Sequence, residues 1–385
     1  AAAPPPPVMQ APLPDRMSGM AGMAPVPTPP AAIPVALLLP LSGQHAGTGN
    51  ALLNAAQLAV FEVADKSFTL VPIDTKGTPE GAAAAAQQAI AQGSRLILGP
   101  LFSAEVKASA PVAQSGGVQV VAFTNDRGAA GNGTYVLGFL PRSQVERVVA
   151  YARQQGASRF AALAPGNDFG RAMVDALKDV VAAQQLSLTG VEYYEPGAND
   201  VSGVVKRLTR VDPRNQKGQA GGAQNPGFDA LLLPDEGQRL RNVASLLSYY
   251  QPDTAPARML GTVRWDDPRL GSEPALVGGW YPAPSAETHA DFEKRYQAAF
   301  GGGKPPAITS LAYDATALAA VLAKQPMPDF SPNALTNRSG FAGVDGIFRL
   351  LPDGTSERGL AVMEVQKSGP REISPAPQSF EAAGY

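Results

Sequence analysis

From Ile33 onward, short apolar runs alternate with helix-length stretches, and that alternation leaves few folds open. Val35–Leu39, Thr69–Ile73, Leu96–Leu98 and Val118–Phe123 are too short for helices and apolar at nearly every position. Such runs are buried on both faces, as in a parallel strand covered by helices on either side. Between them, the stretch carrying Leu53, Ala56, Val60 and Val63 reads as a helix, as does Glu80–Gln92. A third helix starts at Ser103, a good N-cap, and turns Val106 and Ala110 inward. The spacing predicts β-α-β-α-β-α-β, a parallel sheet wound with helices.

A second set follows Tyr135–Phe139. Helices at Ser143–Gln155, Arg171–Ala183, Val201–Arg210 and Gln238–Tyr250 alternate with strands at Phe160–Leu163, Leu188–Tyr194, Ala230–Leu233 and Met259–Thr262. Two α/β units in tandem imply two lobes, each with its own sheet. Residues 212–227 are rich in Gly, Gln, Asn and Pro and read as an exposed loop. Two more helices are expected near 286–300 and 308–323. Strand-like runs follow at Ile347–Leu350 and Leu360–Val365, split by the turn Pro352-Asp353-Gly354. Residues 1–32, with Pro4–Pro7, Pro29 and Pro30, lack either period and read as a disordered, extended tether or as a disordered leftover segment.

Composition removes several function classes. Lys plus Arg number 31 against 33 Asp plus Glu, so no basic field is offered to a phosphate backbone and no nucleic-acid partner is expected. With no cysteine in the sequence, thiolate catalysis and cysteine-ligated metal sites are absent. No apolar run approaches the roughly 18 residues of a membrane span. His45 sits in a Gly-rich turn after the first strand, whereas His289 is expected on a solvated helix face. No HExxH, GxSxG, SxxK or Walker motif occurs. The pairs Asp235-Glu236 and Asp266-Asp267 read as solvated loop ends. No catalytic constellation, cofactor site or metal site is expected, so the chain is read as a non-enzyme.

What remains is a set of small polar residues at the carboxyl ends of the strands: Ser42, Ser103, Thr124, Asn125 and Asp126. In open parallel sheets the ligand crevice lies outside those ends. Ser103 also starts a helix, whose free amides favour an anion. A cap alone, and a cap with ligand contact, both fit it.

The stretches IPVALLLPLSGQHAGTGNALLNAAQLA, RLILGPLFSAEV and GVQVVAFTND resemble the first lobe of leucine/isoleucine/valine-type periplasmic binding proteins. Within that superfamily LLLPLSGQ, Gly99-Pro100-Leu101, FDALLLPDEGQRLR and SLAYDATALA resemble the penicillin-binding protein activators. The resemblance implies a type I fold: two lobes, each a mostly parallel sheet flanked by helices, joined by three crossovers near 139–142, 277–282 and 334–346. Lobe one would take 33–140 plus 283–335, and lobe two 141–282 plus 336–377.

The same resemblance places the serine that holds a ligand carboxylate on Ser103, with Ser42 and Ala104 nearby. It places the polar strand end on Thr124 and Asp126, the aromatic lid on Phe169, and a second-lobe tyrosine position near Glu236. The acid that would meet an ammonium falls near Val263, beside Arg264. The implied function is a periplasmic activator of peptidoglycan synthesis, partnered by a class A penicillin-binding protein. The alternative is the substrate-binding component of an ABC transporter, partnered by a permease, for branched-chain amino acids or related small carboxylates. The start at Ala1 suggests a chain trimmed after export, with any lipid anchor on a residue upstream.

Overall fold

The computed structural model describes residues 32–198, 200–209, 227–250 and 257–380. Nearly all of the expected tether and of the 212–227 loop lie outside these residues. The first sheet contains β1 (Ile33–Leu39), β2 (Phe68–Asp74), β3 (Leu96–Leu98), β4 (Gln119–Ala122) and β5 (Thr134–Val136), ordered β2-β1-β3-β4-β5 with every pairing parallel. Helices α1 (Ala46–Val63), α2 (Pro79–Ala91) and α3 (Ser103–Ser115) connect the first four strands.

β1 explains why this sheet needs two helical layers. Successive strand residues point to opposite faces. Val35, Leu37 and Leu39 therefore pack with Leu52, Ala55 and Ala56 of α1, whereas Ala36 and Leu38 pack with Ala85 and Ala86 of α2 and Val106 of α3.

The second sheet repeats the device. Its elements are α4 (Pro141–Gln154), β6 (Arg159–Pro165), α5 (Asp168–Ala183), β7 (Ser187–Tyr194), α6 (Ser202–Thr209), β8 (Ala230–Leu232), α7 (Gly237–Tyr250), β9 (Arg258–Leu260) and β10 (Trp280–Ala283). Ala161 and Leu163 of β6 face α6 and α7, and Phe160 and Ala162 face α4 and α5. Residues 280–283, expected at the second crossover, are thus a strand, and the chain leaves this lobe just after them.

It returns to the first lobe as α8 (Ala286–Phe300) and α9 (Thr309–Ala323), followed by the short α10 (Pro332–Leu335). Leu311, Ala315 and Leu318 of α9 and Phe292 of α8 join the α1 side of the first core.

The tail corrects the sequence reading. Residues 336–358 were assigned to the second lobe, but β11 (Phe341–Gly343), β12 (Gly346–Leu350) and β13 (Ser356–Arg358) form a separate three-stranded antiparallel sheet. Its Val344, Phe348 and Leu350 are buried in the first lobe's core. The turn at 352–354 joins β12 to β13, not to the next strand of the second lobe. Only β14 (Ala361–Glu364) and β15 (Arg371–Ser374) cross over, β14 pairing antiparallel with β10. The third crossing therefore lies at Gly359-Leu360, later than 334–346.

The crossings are fastened by buried charge. Arg358 and Asp314 have side chains only 2% and 0% exposed, with Nη1 3.3 Å from Oδ2. Arg358 also donates from Nε and Nη2 to the Leu137 carbonyl, at the first crossing, and its guanidinium lies 4.9 Å from the Phe139 ring centroid. Reciprocally, Arg147 of α4 donates to the Leu360 carbonyl at the third crossing and to Ser374. Asp314 accepts from the Val344 amide at 2.8 Å, an approach that needs Gly343, where a Cβ would collide with the carboxylate.

Removing one member of a buried pair strands the other, at a cost of about 3–5 kcal/mol. Asp314→Ala and Arg358→Ala should each lower the unfolding free energy by about that much in urea titrations. The double variant Asp314→Leu/Arg358→Met should recover most of the loss.

Candidate functional site

The carboxyl ends of the first sheet face the second lobe across a cleft of about 800 Å³. The first-lobe wall begins where β3 ends. Gly99, at φ +81°, turns the chain so closely under β1 that a Cβ there would strike the Leu38 carbonyl oxygen. The chain then runs through Leu101 and Phe102 into α3. Glu105, buried in the first turn, accepts from the Phe102 amide at 3.1 Å and from the Thr75 hydroxyl at 2.5 Å, fixing the helix start against the end of β2. Burial raises the Glu105 carboxyl above its ordinary range, and the Thr75 bond opposes that shift.

Ser103 is the first residue inside α3, not its cap. Its hydroxyl donates to Oδ2 of Asp126, on which Nζ of Lys107 also converges at 2.7 Å. The Gly128 amide donates to Oδ1 at 2.8 Å. The hydrogen bond from Lys107, then that from Ser103, holds the Asp126 carboxyl below its usual range. The Thr124 hydroxyl, nearly buried, accepts from the Asp126 amide at 3.1 Å. The helix start thus holds a carboxylate, and it belongs to the chain itself.

The second-lobe wall comes from the loops after β6 and β9. Asn167 caps α5 by accepting from the Gly170 amide at 2.8 Å, which sets Phe169 in the helix's first turn. The Thr262 side chain accepts from the Arg264 amide and opens a single turn of 3₁₀ helix. The Arg264 guanidinium lies 3.8 Å from the Phe169 ring centroid, and its Nη1 is 3.0 Å from Glu236. At the base of the cleft, nearly buried Gln144 donates to the Phe139 carbonyl at 2.9 Å and accepts from the Val263 amide at 3.0 Å. One side chain thus joins the first crossing to the second-lobe loop.

Of the residues singled out in the sequence, Ser103, Thr124, Asn125, Asp126 and Phe169 line the cleft, and so does His45, whose ring lies tilted against that of Phe102 with centroids 4.6 Å apart. Three others do not. Ser42 donates to Asp74 at 2.5 Å beside the end of β1, Ala104 is exposed on α3, and Glu236 reaches the cleft only through Arg264.

Other lining residues escaped the sequence reading. Asp266, taken for a solvated loop end, borders the cleft and accepts from the Tyr281 hydroxyl at 3.3 Å. His289, expected in solvent, has a side chain only 16% exposed, with Nδ1 2.6 Å from Asp345 and Nε2 3.0 Å from Glu293. Lys304 lies 2.9 Å from the same glutamate. The spacing of His289 and Glu293, one helical turn apart, was the available clue; Asp345 came from a distant loop.

Among the described residues no group of side chains could hold a metal ion, and no helix is long and apolar enough to cross a membrane. Comparison with known proteins identifies the family. The chain belongs to the periplasmic binding proteins, whose family profile matches residues 32–370. An uncharacterized protein of Rickettsia prowazekii is 22% identical over 235 residues, and the match spans 61% of this chain and 61% of that protein.

Two solved structures cover the described body almost completely. One, described as a branched-chain amino acid ABC transporter from Rhodospirillum rubrum, is 16% identical with a TM-score of 0.75, over 89% of this chain and 100% of that one. The other is a Rhodopseudomonas palustris ABC-transporter solute-binding protein in complex with 4-hydroxybenzoate. It is 17% identical with a TM-score of 0.61, over 92% of this chain and 100% of that one. At these identities the structures establish the two-lobed type I fold.

The His289 cluster generates a pH prediction. The Asp345 hydrogen bond raises the imidazole pKa above its ordinary 6.5 against the opposing effect of burial. The folded state thus favours charged histidine. Its contribution is complete below pH 6.5 and is lost as pH rises through the higher folded value. Wild-type urea midpoints should fall between about pH 6 and about pH 8.5, and His289→Gln should remove a measurable part of that fall. Equal falls in the two proteins would contradict the assignment.

Proposed function

We propose that this protein is an extracytoplasmic solute receptor that takes a small molecule between its lobes and presents it to a membrane transport partner. The observation that carries the reading is the joint origin of one cleft. Ser103, Thr124 and Asp126 come from the first lobe and Phe169 and Arg264 from the second, so a ligand touching both walls favours closure. The cleft volume falls in the range of small-molecule sites, roughly 300–1,000 Å³. Apolar walls from Phe139, Ile308, Leu311 and Met363 surround a few convergent polar groups, the usual make-up of such sites. The family is one of binding proteins, and a permease of the ABC class is the partner that fits it.

A second reading has its own observation. The Ser103 subsite is satisfied by Asp126 without any ligand, so the fold has no need of a solute to complete it. That favours recognition by protein contact, and the resemblance to penicillin-binding protein activators supplies a partner, a class A peptidoglycan synthase. None of the relatives named above is described as such an activator.

The deciding experiment is a thermal-shift screen of amino acids, aromatic acids, amines and muropeptides, followed by titration calorimetry. The receptor reading expects saturable binding of one small molecule. At 100 times its Kd a ligand adds about 2.7 kcal/mol of stability, and Phe169→Ala should weaken it by roughly tenfold, the equivalent of about 1.4 kcal/mol. No shift with any solute, together with altered glycan polymerisation by a class A synthase on adding the protein, would replace the receptor with the regulator.

A further inference from the structure

Resting on the receptor reading, the geometry points to a cleft that selects a small apolar cation, an amine on a hydrocarbon body, and rejects carboxylates. The sequence resemblance led us to expect the opposite at Ser103. The hydroxyl that would receive a ligand carboxylate already donates to Asp126, and Lys107 neutralises that same oxygen. An incoming carboxylate meets a carboxylate oxygen where it needs a donor, and the two like groups repel.

Asp126 itself remains an acceptor. A carboxylate offers about four lone-pair sites. Ser103 and Lys107 use Oδ2 and the Gly128 amide uses Oδ1, while the side chain stays 35% exposed beside the cleft.

The rest of the lining leans the same way. The lysine and the arginine of the cleft lining each already have a carboxylate partner, Arg264 with Glu236 and Lys304 with Glu293, and His289 is paired with Asp345. Asp266, by contrast, meets no cation within ion-pair distance among the described residues and accepts only from Tyr281. Asp126, Asp266 and Asp345 on the lining, with Glu236 and Glu293 behind it, stand against the fixed cations Arg264 and Lys304 on the lining and Lys107 behind it, so carboxylates outnumber lysines and arginines five to three, with His45 and His289 as the titratable remainder. Between these groups the walls are apolar. A ligand with an ammonium and a hydrocarbon body matches both features; one with a carboxylate matches only the second.

The test uses matched skeletons on the whole chain: benzylamine against benzoate, and isoamylamine against 4-methylvalerate, by titration calorimetry. Wild type should bind the amine of each pair at least roughly tenfold tighter. Asp126→Asn, which keeps the shape and removes the charge, should erase the preference. Asp126→Thr, which frees Ser103 and adds a hydroxyl, should reverse it toward the acids. Tighter acid binding by wild type, or an unchanged ratio in both variants, overturns the inference while the receptor reading stands. If none of the three proteins binds any of the four probes, the inference is overturned, and the receptor reading stands or falls on the wider screen described above.

Discussion

Two arginines hold the lobes in register, each gripping the carbonyl of the other's crossing. Arg358, at the end of β13, holds Leu137, and Arg147, midway along α4, holds Leu360. Guanidinium groups suit the task because their donors are fixed in a plane and never deprotonate. Arg358 is tolerable in so dry a place only because Asp314 shares it. Asp314 in turn pins the β11–β12 turn through Val344, next to Asp345 and hence to His289 on the cleft wall. The hinge and the binding surface are therefore one connected polar network inside an apolar frame.

The carboxyl group of Asp314 lies under opposing influences. Burial raises its pKa most strongly, neighbouring Asp345 adds to this, and Arg358 opposes both. Direct geometry, with Nη1 3.3 Å away, fits an ion pair rather than a neutral acid. Such pairs contribute little net stability compared with apolar side chains of like volume, but they fix geometry. At a hinge, geometry is what the function requires.

Much of the framework was readable before any coordinates. β1 and β6 announce themselves as apolar at successive positions, which only a sheet covered on both faces can accommodate. Ser103, Thr124 and Asp126 were findable because strand-to-helix turns in a parallel sheet all open at one edge.

The tail was misplaced because β12 and β14 look alike in sequence. The lobe of β12 is decided by Phe348 and Leu350 packing on the first core and by the charge pair at Arg358. Nothing local distinguishes Arg358 or Arg147 from surface arginines, since the carbonyls they hold lie more than 200 positions away in the chain. The bond from Ser103 to Asp126 was equally hidden: both were read as facing a ligand, whereas they face each other. Arg264 was seen only as a neighbour of Val263, and its stacking on Phe169 depends on two loops from different strands.

The reciprocal arginine grip sets the spacing of the lobes. A chain without cysteine permits a direct measurement, because Ala104→Cys and Ala172→Cys, both exposed at helix starts on opposite lobes, would be its sole labelling sites. Pulsed electron-resonance distances between spin labels there should give one narrow distribution in the otherwise wild-type protein. With Arg358→Met, in protein that still unfolds cooperatively, the distribution should broaden and shift. An identical distribution with and without Arg358 would contradict the account.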